Sequence, residues 1–376
     1  MCDSPKPMTI HRPRYGRKLN DFIRGDVYDH PWEVTVDAGF LALWQSSFLD
    51  ANPLYTSDPY AQALGFKSRV VPPSLVLNLG LSFSVHDVSQ QAIAHLAYID
   101  VRFPKALQVG DTFRAYSRVL AAKASAGDPS RGTVHVRTIG LNQFGEVVLS
   151  FERKALIRAG EVAGRPVTPV RSLSDSDEAK IANLPFAPSN TREGASAAGT
   201  VGQPFFCEAF IPGDIFAHDS GRTVGDSEHM MLTSLVKNSH PLHWDQGYCL
   251  ENSFKKTRVV YGGLVLSWTL AMASWDTGGN AIWELGLDDG AHPSPVLAGD
   301  TIYAASRVES VKVTGTYTGE VRFRTVGVKN THPEALLARG ADLFTPERDK
   351  KDEAKRVPEK VVEITRDVLV RRRSER

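Results

Sequence analysis

The sequence predicts an α+β fold made of two copies of one domain, each with long antiparallel strands around a buried helix. Several short motifs recur in the same order at an offset of about 188 residues, which indicates an internal repeat. Each copy contains one helix-length segment that is apolar nearly all round, as in a helix enclosed by other structure. Each copy also contains several strand-length segments of alternating hydrophobicity, and this combination is typical of an α+β layer arrangement.

The repeat consists of five pairs of similar segments. The pairs are 25–30 with 213–218, 50–55 with 238–243, 69–77 with 258–266, 109–119 with 298–308, and 136–140 with 323–327. Between the copies, the chain is rich in Pro, Ala, Gly and Ser, which is typical of a linker. The predicted units are therefore an N-terminal domain 1–158, a linker 159–204 and a C-terminal domain 205–376.

The first copy gives the clearest local signals. A short strand at 32–36 precedes an amphipathic helix at 37–49, for which Asp37 is the expected N-cap. A turn is predicted at Asn52 and Pro53. A buried helix and three strands complete the copy, and they are predicted at 75–84, 111–120, 133–141 and 147–157.

The second copy repeats this order. Its buried helix is predicted at 264–274 and its strands at 301–313, 320–328 and 361–370. One short helix is predicted in the linker at 175–181. An insertion at 329–359 interrupts the final hairpin, and its mixed charge run at 347–353 predicts a solvated loop.

Composition and charge are those of an ordinary globular protein. The 376 residues are 42% hydrophobic and 23% charged, with a net charge of +1, so no global field favours nucleic acid or a membrane surface. No apolar segment reaches signal-peptide or membrane-spanning length, which predicts a cytoplasmic protein. The three cysteines, Cys2, Cys207 and Cys249, are widely separated and predict neither a disulfide framework nor a zinc site.

Two segments of the second copy carry candidate chemistry. In the segment 238–245, a proline pushes His240 out of the α region, so Asn238 and His243 can face one pocket. In the segment 258–270, Gly262 and Gly263 precede an apolar helix, and backbone N–H groups at a helix start are accessible to a ligand. Together the segments offer a proton-transfer group and an anion-binding backbone.

This pairing resembles the signature of the MaoC-type (R)-specific enoyl-CoA hydratases, Asp-x-Asn-Pro-Leu-His followed by a His-Gly-Met helix start. The Pro-Leu-His end and the second glycine match, whereas Asn238 stands at the aspartate position and His240 at the asparagine position. The resemblance identifies the predicted fold as a hot-dog fold, and the two copies as a double hot dog.

Further segments resemble the mesaconyl-CoA hydratases, also called β-methylmalyl-CoA dehydratases. They are 140–146, 228–230, 260–263, 291–295 and 298–301. The resemblance covers most of the chain except the linker, the charged insertion and the termini. It implies a hydro-lyase that reversibly adds water to 2-methylfumaryl-CoA (mesaconyl-CoA) to give β-methylmalyl-CoA.

The resemblance implies roles for the motif residues. His243 would deprotonate the water and return the proton to the α-carbon, as a histidine can do near neutral pH. The N–H of Gly263 would stabilise the thioester oxygen, and the missing Cβ would let the thioester approach. Asn238 cannot act as a base, but its amide can orient the water. Tyr261 and Gly262 are expected to contact the substrate.

The first copy has lost part of the motif. Asp50 is present, but Tyr55 replaces the histidine, and Pro73 and Ser74 replace the two glycines. We expect a degenerate partner that shapes the acyl-CoA tunnel, with Asp50 and Tyr55 as substrate-binding candidates. The two motif sites should lie apart, so Asp50 is not expected to complete a dyad with His243, although a catalytic Asp50 stays open.

A substrate with a free carboxylate needs a cation, preferably a guanidinium. The candidates are Arg69, Arg102 and Arg258. No metal or cofactor is expected, because CoA belongs to the substrate. The expected partners are the acyl-CoA and a second copy of the chain in a homodimer, with no nucleic acid or membrane.

Three alternatives remain open at this stage. The first is a general (R)-specific hydratase of fatty enoyl-CoA chains, which would need an apolar acyl pocket without an arginine. The second is a non-catalytic acyl-CoA binding protein, against which the joint retention of His243 and Gly263 argues. The third is a thioesterase, which would more naturally keep a carboxylate base.

Overall fold

A computed structural model describes residues 16–162, 168–195 and 205–373. One antiparallel sheet runs through both copies in the order β6-β1-β3-β4-β5-β2-β9-β12-β11-β10-β7, with β8 beside β10. Its strands are β1 (Val27–Thr35), β2 (Ala92–Arg102), β3 (Thr112–Ala124), β4 (Arg131–Leu141), β5 (Val147–Arg158), β6 (Val170–Arg171), β7 (Ile215–Ala217), β8 (Arg222–Thr223), β9 (Ala281–Ala291), β10 (Thr301–Val313), β11 (Thr318–Lys329) and β12 (Lys360–Arg371).

The two copies join through their sheets. Strand β2 pairs antiparallel with β9, where Tyr98 lies opposite Gly290 and Val101 opposite Leu287. The first copy therefore continues directly into the second, and its last strand β5 lies next to β2.

The sheet surrounds two long helices that contact each other. The helices are α1 (Ala38–Phe48), α2 (Pro53–Thr56), α3 (Asp58–Ala63), α4 (Pro73–Ser84), α5 (Asp175–Ala182), α6 (Asn190–Gly194), α7 (Asp226–Leu235), α8 (Gln246–Asn252), α9 (Gly262–Thr277) and α10 (Pro333–Ala338). Nearly every residue of α4 and α9 is buried, as their all-round apolar sequences predict. The Asn78 amide of α4 donates to the Gly263 carbonyl at 3.1 Å and to the Ser267 hydroxyl at 2.9 Å, which ties the two helices together.

The predicted α+β arrangement of two copies is confirmed. Asp37 caps α1, because its carboxylate accepts the Phe40 N–H at 2.7 Å. The linker helix forms as α5, and the predicted turn at Asn52 and Pro53 is the start of the short helix α2. Two segments of the linker, 163–167 and 196–204, lie outside the described residues.

The strands that join the copies, β2 and β9, were not predicted. Residues 281–285 of β9 are all buried, so this segment lacks the alternation of a strand with one solvated face. In β2 the exposed and half-buried positions follow no strict period. Both strands also carry irregular registers, which blur a period of two.

The prediction of a solvated loop at 347–353 is wrong at two positions, while the other five residues are exposed. Glu347 and Lys350 are buried, with the Lys350 ammonium 2.7 Å from the Glu347 carboxylate. The fully buried Lys360 ammonium also lies 2.7 Å from Glu347 and 3.1 Å from Glu363. Since opposite charges satisfy one another here, the segment can pack against the sheet despite its composition.

Among the residues that the structure describes, no helix combines the length and the apolar character that crossing a membrane requires.

Candidate active site

A cavity of about 130 Å³ lies between the two copies and contains the predicted motif. The second copy contributes Asn238, His243, Tyr261, Gly262 and His292, and the first copy contributes Leu81, His95, Tyr98 and Arg153. Both copies therefore contribute side chains to this cavity. The volume is small beside the roughly 300–1000 Å³ of typical sites for drug-sized ligands.

The backbone turn at His240 brings the two motif residues together. His240 is extended, with φ −73° and ψ 119°, as expected for a residue before proline. The Asn238 carbonyl oxygen Oδ1 accepts the His240 N–H at 3.0 Å, and a single turn of 3₁₀-helix then ends at His243. Both side chains consequently line one cavity.

His243 is held in one tautomer. Its Nδ1 lies 2.8 Å from the Val259 carbonyl oxygen, and because a carbonyl only accepts, Nδ1 carries the proton. The Nε2 lone pair is then the proton acceptor of the ring. Burial, followed by the neighbouring His240, lowers the pKa of His243 to about 3, so the ring is neutral at physiological pH.

Asn238 and Tyr261 form a hydrogen-bonded pair. Because Oδ1 of Asn238 is engaged by the backbone, its amide N–H₂ is the group that donates to the Tyr261 hydroxyl. The Ser82 hydroxyl lies 3.4 Å from the same oxygen. Burial raises the pKa of Tyr261 to about 12, so the phenol keeps its proton, which is available to an acceptor in the cavity.

Helix α9 begins at the cavity wall. Its first N–H groups have no partner within the helix, and Tyr261 at the N-cap supplies no side-chain cap. A Cβ on Gly262 would lie 2.9 Å from Nε2 of His292, so the missing side chain makes room for this ring.

The expected reason for Gly263 is corrected by its surroundings. A Cβ there would lie 2.3 Å from Oδ1 of Asn78 and 2.7 Å from the Tyr261 ring, so close packing of α9 against α4 explains the missing side chain. Gly262, rather than Gly263, borders the cavity. The role of the Gly263 N–H as an oxyanion donor stays a prediction.

His292 and Tyr98 close one side of the cavity. His292 Nδ1 lies 3.2 Å from the Val361 carbonyl, and its Nε2 accepts the Tyr98 hydroxyl at 3.0 Å. Burial lowers the pKa of His292 to about 4, which agrees with this neutral, fully bonded ring. His292 therefore has no free lone pair with which to act as a second base.

Arg153 is the charged group of the cavity. Its side chain is 3% exposed, one N–H donates to the Ser84 hydroxyl at 2.8 Å, and its Nε has no partner. Burial lowers the pKa of Arg153 to about 10, and the acidic groups that counteract this shift are the neutral phenols of Tyr261 and Tyr98. Within the part of the chain that the structure describes, Arg153 is thus a buried cation with no carboxylate beside it.

The remnant of the motif in the first copy lies in a separate cavity of about 30 Å³. Asp50 and Tyr55 line it together with Pro73 and Arg366. Burial raises the pKa of Asp50 to about 6 and that of Tyr55 well above its usual value. Pro73, at the start of α4, has no N–H to donate. Asp50 lines this cavity and His243 lines the other one.

The arginines predicted to bind a carboxylate lie outside both cavities. Arg69 pairs with Asp58 at 3.1 Å, Arg102 with Asp100 at 2.6 Å, and Arg258 with Asp226 at 2.5 Å. Each guanidinium therefore already has a carboxylate partner near the surface.

Sequence reasoning missed His95, Tyr98, Arg153 and His292 as site residues. The first three lie in no local motif, and His292 lies in the segment 291–295, whose resemblance to the family suggested no role for it. One signal was available for Arg153. The last long strand of each copy contains an arginine at the same register: Arg153 is opposite Val136, and Arg366 is opposite Phe323. Within the described parts of the chain, no group of three or more His, Cys, Asp or Glu side chains is placed to hold a metal ion.

Known proteins with the same architecture place these observations in a family. The family model described as mesaconyl-CoA hydratase matches residues 11–341. A mesaconyl-CoA hydratase from Cereibacter sphaeroides is 33% identical over 87% of this chain and 93% of its own length. A β-methylmalyl-CoA dehydratase from Chloroflexus aurantiacus is 31% identical over 84% of this chain and 89% of its own length.

Solved structures agree with the double hot dog. A MaoC domain protein from Chloroflexus aurantiacus superposes with a TM-score of 0.79 at 28% identity, over 96% of this chain and 98% of its own. A Mycobacterium tuberculosis protein described as a double hotdog fold superposes with a TM-score of 0.70 at 22% identity, over 94% of this chain and 98% of its own. The predicted fold is confirmed, and the chain belongs to the mesaconyl-CoA hydratase family.

Proposed function

We propose that the protein catalyses the reversible hydration of mesaconyl-CoA to β-methylmalyl-CoA. The observation that carries the proposal is His243, a neutral histidine with a fixed tautomer beside Asn238 in a cavity of a mesaconyl-CoA hydratase family member. The acyl-CoA is the expected partner. CoA belongs to the substrate, and no further cofactor is part of the proposal.

The reaction needs a base, a proton donor and a site for developing charge. Nε2 of His243 takes a proton from water while the water oxygen bonds to the β-carbon, and the electrons of the double bond move onto the thioester oxygen. The N–H groups at the start of α9 stabilise this oxygen through hydrogen bonds and the helix dipole. The enolate then takes the proton back from Nε2 at its α-carbon, so the addition is balanced.

Asn238 and Tyr261 support this chemistry without carrying the proton. The amide of Asn238 is committed to the His240 N–H and the Tyr261 hydroxyl. The Tyr261 proton is consequently directed to an acceptor in the cavity, either the attacking water or the substrate. The base role therefore falls wholly to His243.

The small cavity favours a short acyl group over the fatty chains of a general (R)-specific hydratase. Purified protein should consume the enoyl-thioester absorbance of mesaconyl-CoA, and β-methylmalyl-CoA should regenerate it. Hydration of crotonyl-CoA alone would assign a general hydratase. Binding of both thioesters with turnover of neither would assign a non-catalytic acyl-CoA binding protein.

We further propose that the protein acts in the cytoplasm as a homodimer. Cys207 and Cys249 are buried free thiols, which fits a reducing compartment. Leu49 and Trp275 are large exposed apolar residues joined by a hydrogen bond from the indole N–H to the Leu49 carbonyl, and they offer an apolar surface for a second copy. Analytical ultracentrifugation of the full chain tests the dimer.

A further inference from the structure

The cavity with the motif contains a buried cation, Arg153, to which none of the described residues supplies a carboxylate counter-ion. Arg153 lies on β5 of the first copy, and the groups that neighbour it are Ser84, Tyr98 and Tyr261. A buried guanidinium without an anion is costly, so such a residue is normally retained with a carboxylate or for a ligand.

The corresponding arginine of the second copy, Arg366, lies in the other cavity and has a carboxylate counter-ion. Arg366 forms a forked pair with Glu284, with N–O distances of 2.7 and 3.2 Å, and both residues are buried. Arg366 has its own carboxylate, whereas Arg153 has a hydroxyl.

The residue that makes this difference can be identified from the strand registers. On the neighbouring strand of each copy, Arg153 lies opposite Tyr98, and Arg366 lies opposite Leu287. Two residues further along, Ala155 lies opposite His95, and Val368 lies opposite Glu284. His95 thus occupies the position of Glu284. An imidazole supplies no anion in either protonation state, and burial with the nearby His292 and Arg153 lowers the pKa of His95 well below its usual value, so the ring is neutral.

The proposed reaction fixes the position of the substrate carboxylate relative to the catalytic base. In mesaconyl-CoA the free carboxylate is bonded to the carbon that water attacks, so its cation must lie beside the base. Arg153, Tyr261 and His243 line the same cavity, and the Tyr261 ring centroid is 5.4 Å from that of His243. The acyl end of the thioester reacts in this cavity, so its carboxylate, rather than a CoA phosphate, is the anion that can approach the buried Arg153.

We propose that Arg153 binds the free carboxylate of the substrate and so makes the enzyme specific for a dicarboxylyl thioester. The inference rests on the proposed hydration and adds its specificity determinant. The fork of the guanidinium matches the two carboxylate oxygens, and the neutral surroundings keep the cation available for them.

The test compares kcat/KM for mesaconyl-CoA, which has the carboxylate, with that for crotonyl-CoA, which lacks it. Arg153→Gln should lower the value for mesaconyl-CoA about a hundredfold or more while changing that for crotonyl-CoA by less than about threefold. Arg153→Lys should restore part of the loss. His95→Glu gives Arg153 a carboxylate partner, as Glu284 does for Arg366. This variant should lower kcat/KM for mesaconyl-CoA but not that for crotonyl-CoA, although Arg153 is still present.

The matched control is the double variant Arg366→Gln with Glu284→Gln, which removes the corresponding pair in the other cavity and should leave the ratio of the two kcat/KM values unchanged. The same comparison can be made without turnover from the affinities for two saturated thioesters: methylsuccinyl-CoA, which has the carboxylate, and butyryl-CoA, which lacks it. If Arg153→Gln fails to fold, the ratio of the two kcat/KM values in Arg153→Lys and His95→Glu tests the role of Arg153 instead.

If the folded variants lose kcat/KM equally for both substrates, or keep the wild-type ratio of the two values, Arg153 has only a structural role. That result would overturn this inference and leave the proposed hydration standing. A wild-type protein that hydrates crotonyl-CoA but not mesaconyl-CoA would overturn the proposed function as well, before any variant is compared.

Discussion

Asp50→Asn tests whether the second cavity is inert, because it removes a buried carboxylate from the position that Asn238 occupies in the other copy. In the structure, Oδ1 of Asp50 accepts the Asn52 N–H at 2.9 Å, and an amide oxygen can accept the same bond. Burial raises the pKa of Asp50 from 3.8 to about 6 despite hydrogen bonds from Asn52 and Ser274. The ionised form is therefore destabilising in the folded protein.

The size of the effect follows from the pKa difference. About two pKa units at 1.36 kcal/mol each correspond to about 3 kcal/mol. Because the folded state holds the Asp50 proton more tightly than the unfolded state, stability is lost as pH rises from 3.8 through about 6. Asp50→Asn should thus increase the free energy of unfolding little below pH 4 and by up to about 3 kcal/mol above pH 7.

Urea unfolding of wild type and variant at pH 4 and pH 8 measures this difference, and hydration of mesaconyl-CoA by the same samples measures function. We expect a stabilised variant with unchanged turnover. Loss of turnover in a folded variant would show that Asp50 takes part in catalysis. A destabilised variant at pH 8 would refute the argument that burial dominates at this carboxyl.

Other predictions concern the motif cavity and the insertion. Since the pKa of His243 is lowered to about 3 and the protonated ring is inactive, kcat/KM should stay flat through pH 6.5 and fall only in strong acid. Gly262→Ala should lower turnover and cost about 1–3 kcal/mol of stability, because its Cβ would displace the His292 ring. Lys360→Met should cost about 1–3 kcal/mol, measured by urea unfolding, since Glu347 and Glu363 lose a shared buried cation but keep Lys350 and Arg324 respectively, while turnover of the folded protein is unchanged.

Each of these has a result that contradicts it. An activity inflection at pH 6.5 would mean that His243 is more solvated than its contacts indicate. Full activity in Gly262→Ala would mean that the His292 ring can move without consequence. A Lys360→Met variant as stable as wild type would show that the paired charges of the insertion are not individually needed.

The sequence predicted much of the fold because the repeat and the buried helices are local, periodic signals. Strand β10 was predicted with its observed bounds, and β12 within one residue at each end. The strands β2 and β9 were missed, because pairing between the copies buries them and leaves no alternation. The join between the copies is therefore a tertiary property.

In the candidate site, too, some residues could be identified from a local motif and others only from the folded structure. Asn238 and His243 lie five residues apart around a proline, so a motif could identify them. Arg153 reaches the cavity from a strand of the other copy, and only the comparison with Arg366 and Glu284 shows that it lacks a counter-ion. Local sequence favoured Arg69 and Arg258 instead, whose carboxylate partners become visible only in the folded protein.

The most direct test of the account is the rate at which His243→Ala consumes the enoyl-thioester absorbance of saturating mesaconyl-CoA, with folding and binding of methylsuccinyl-CoA checked in the same sample. Loss of a positioned base should lower the rate by about 10²–10⁴-fold while binding is retained. Tyr55→Phe, at the matching position of the other cavity, should be as active as wild type. A His243→Ala variant within about tenfold of the wild-type rate would contradict the assignment of His243 as the base.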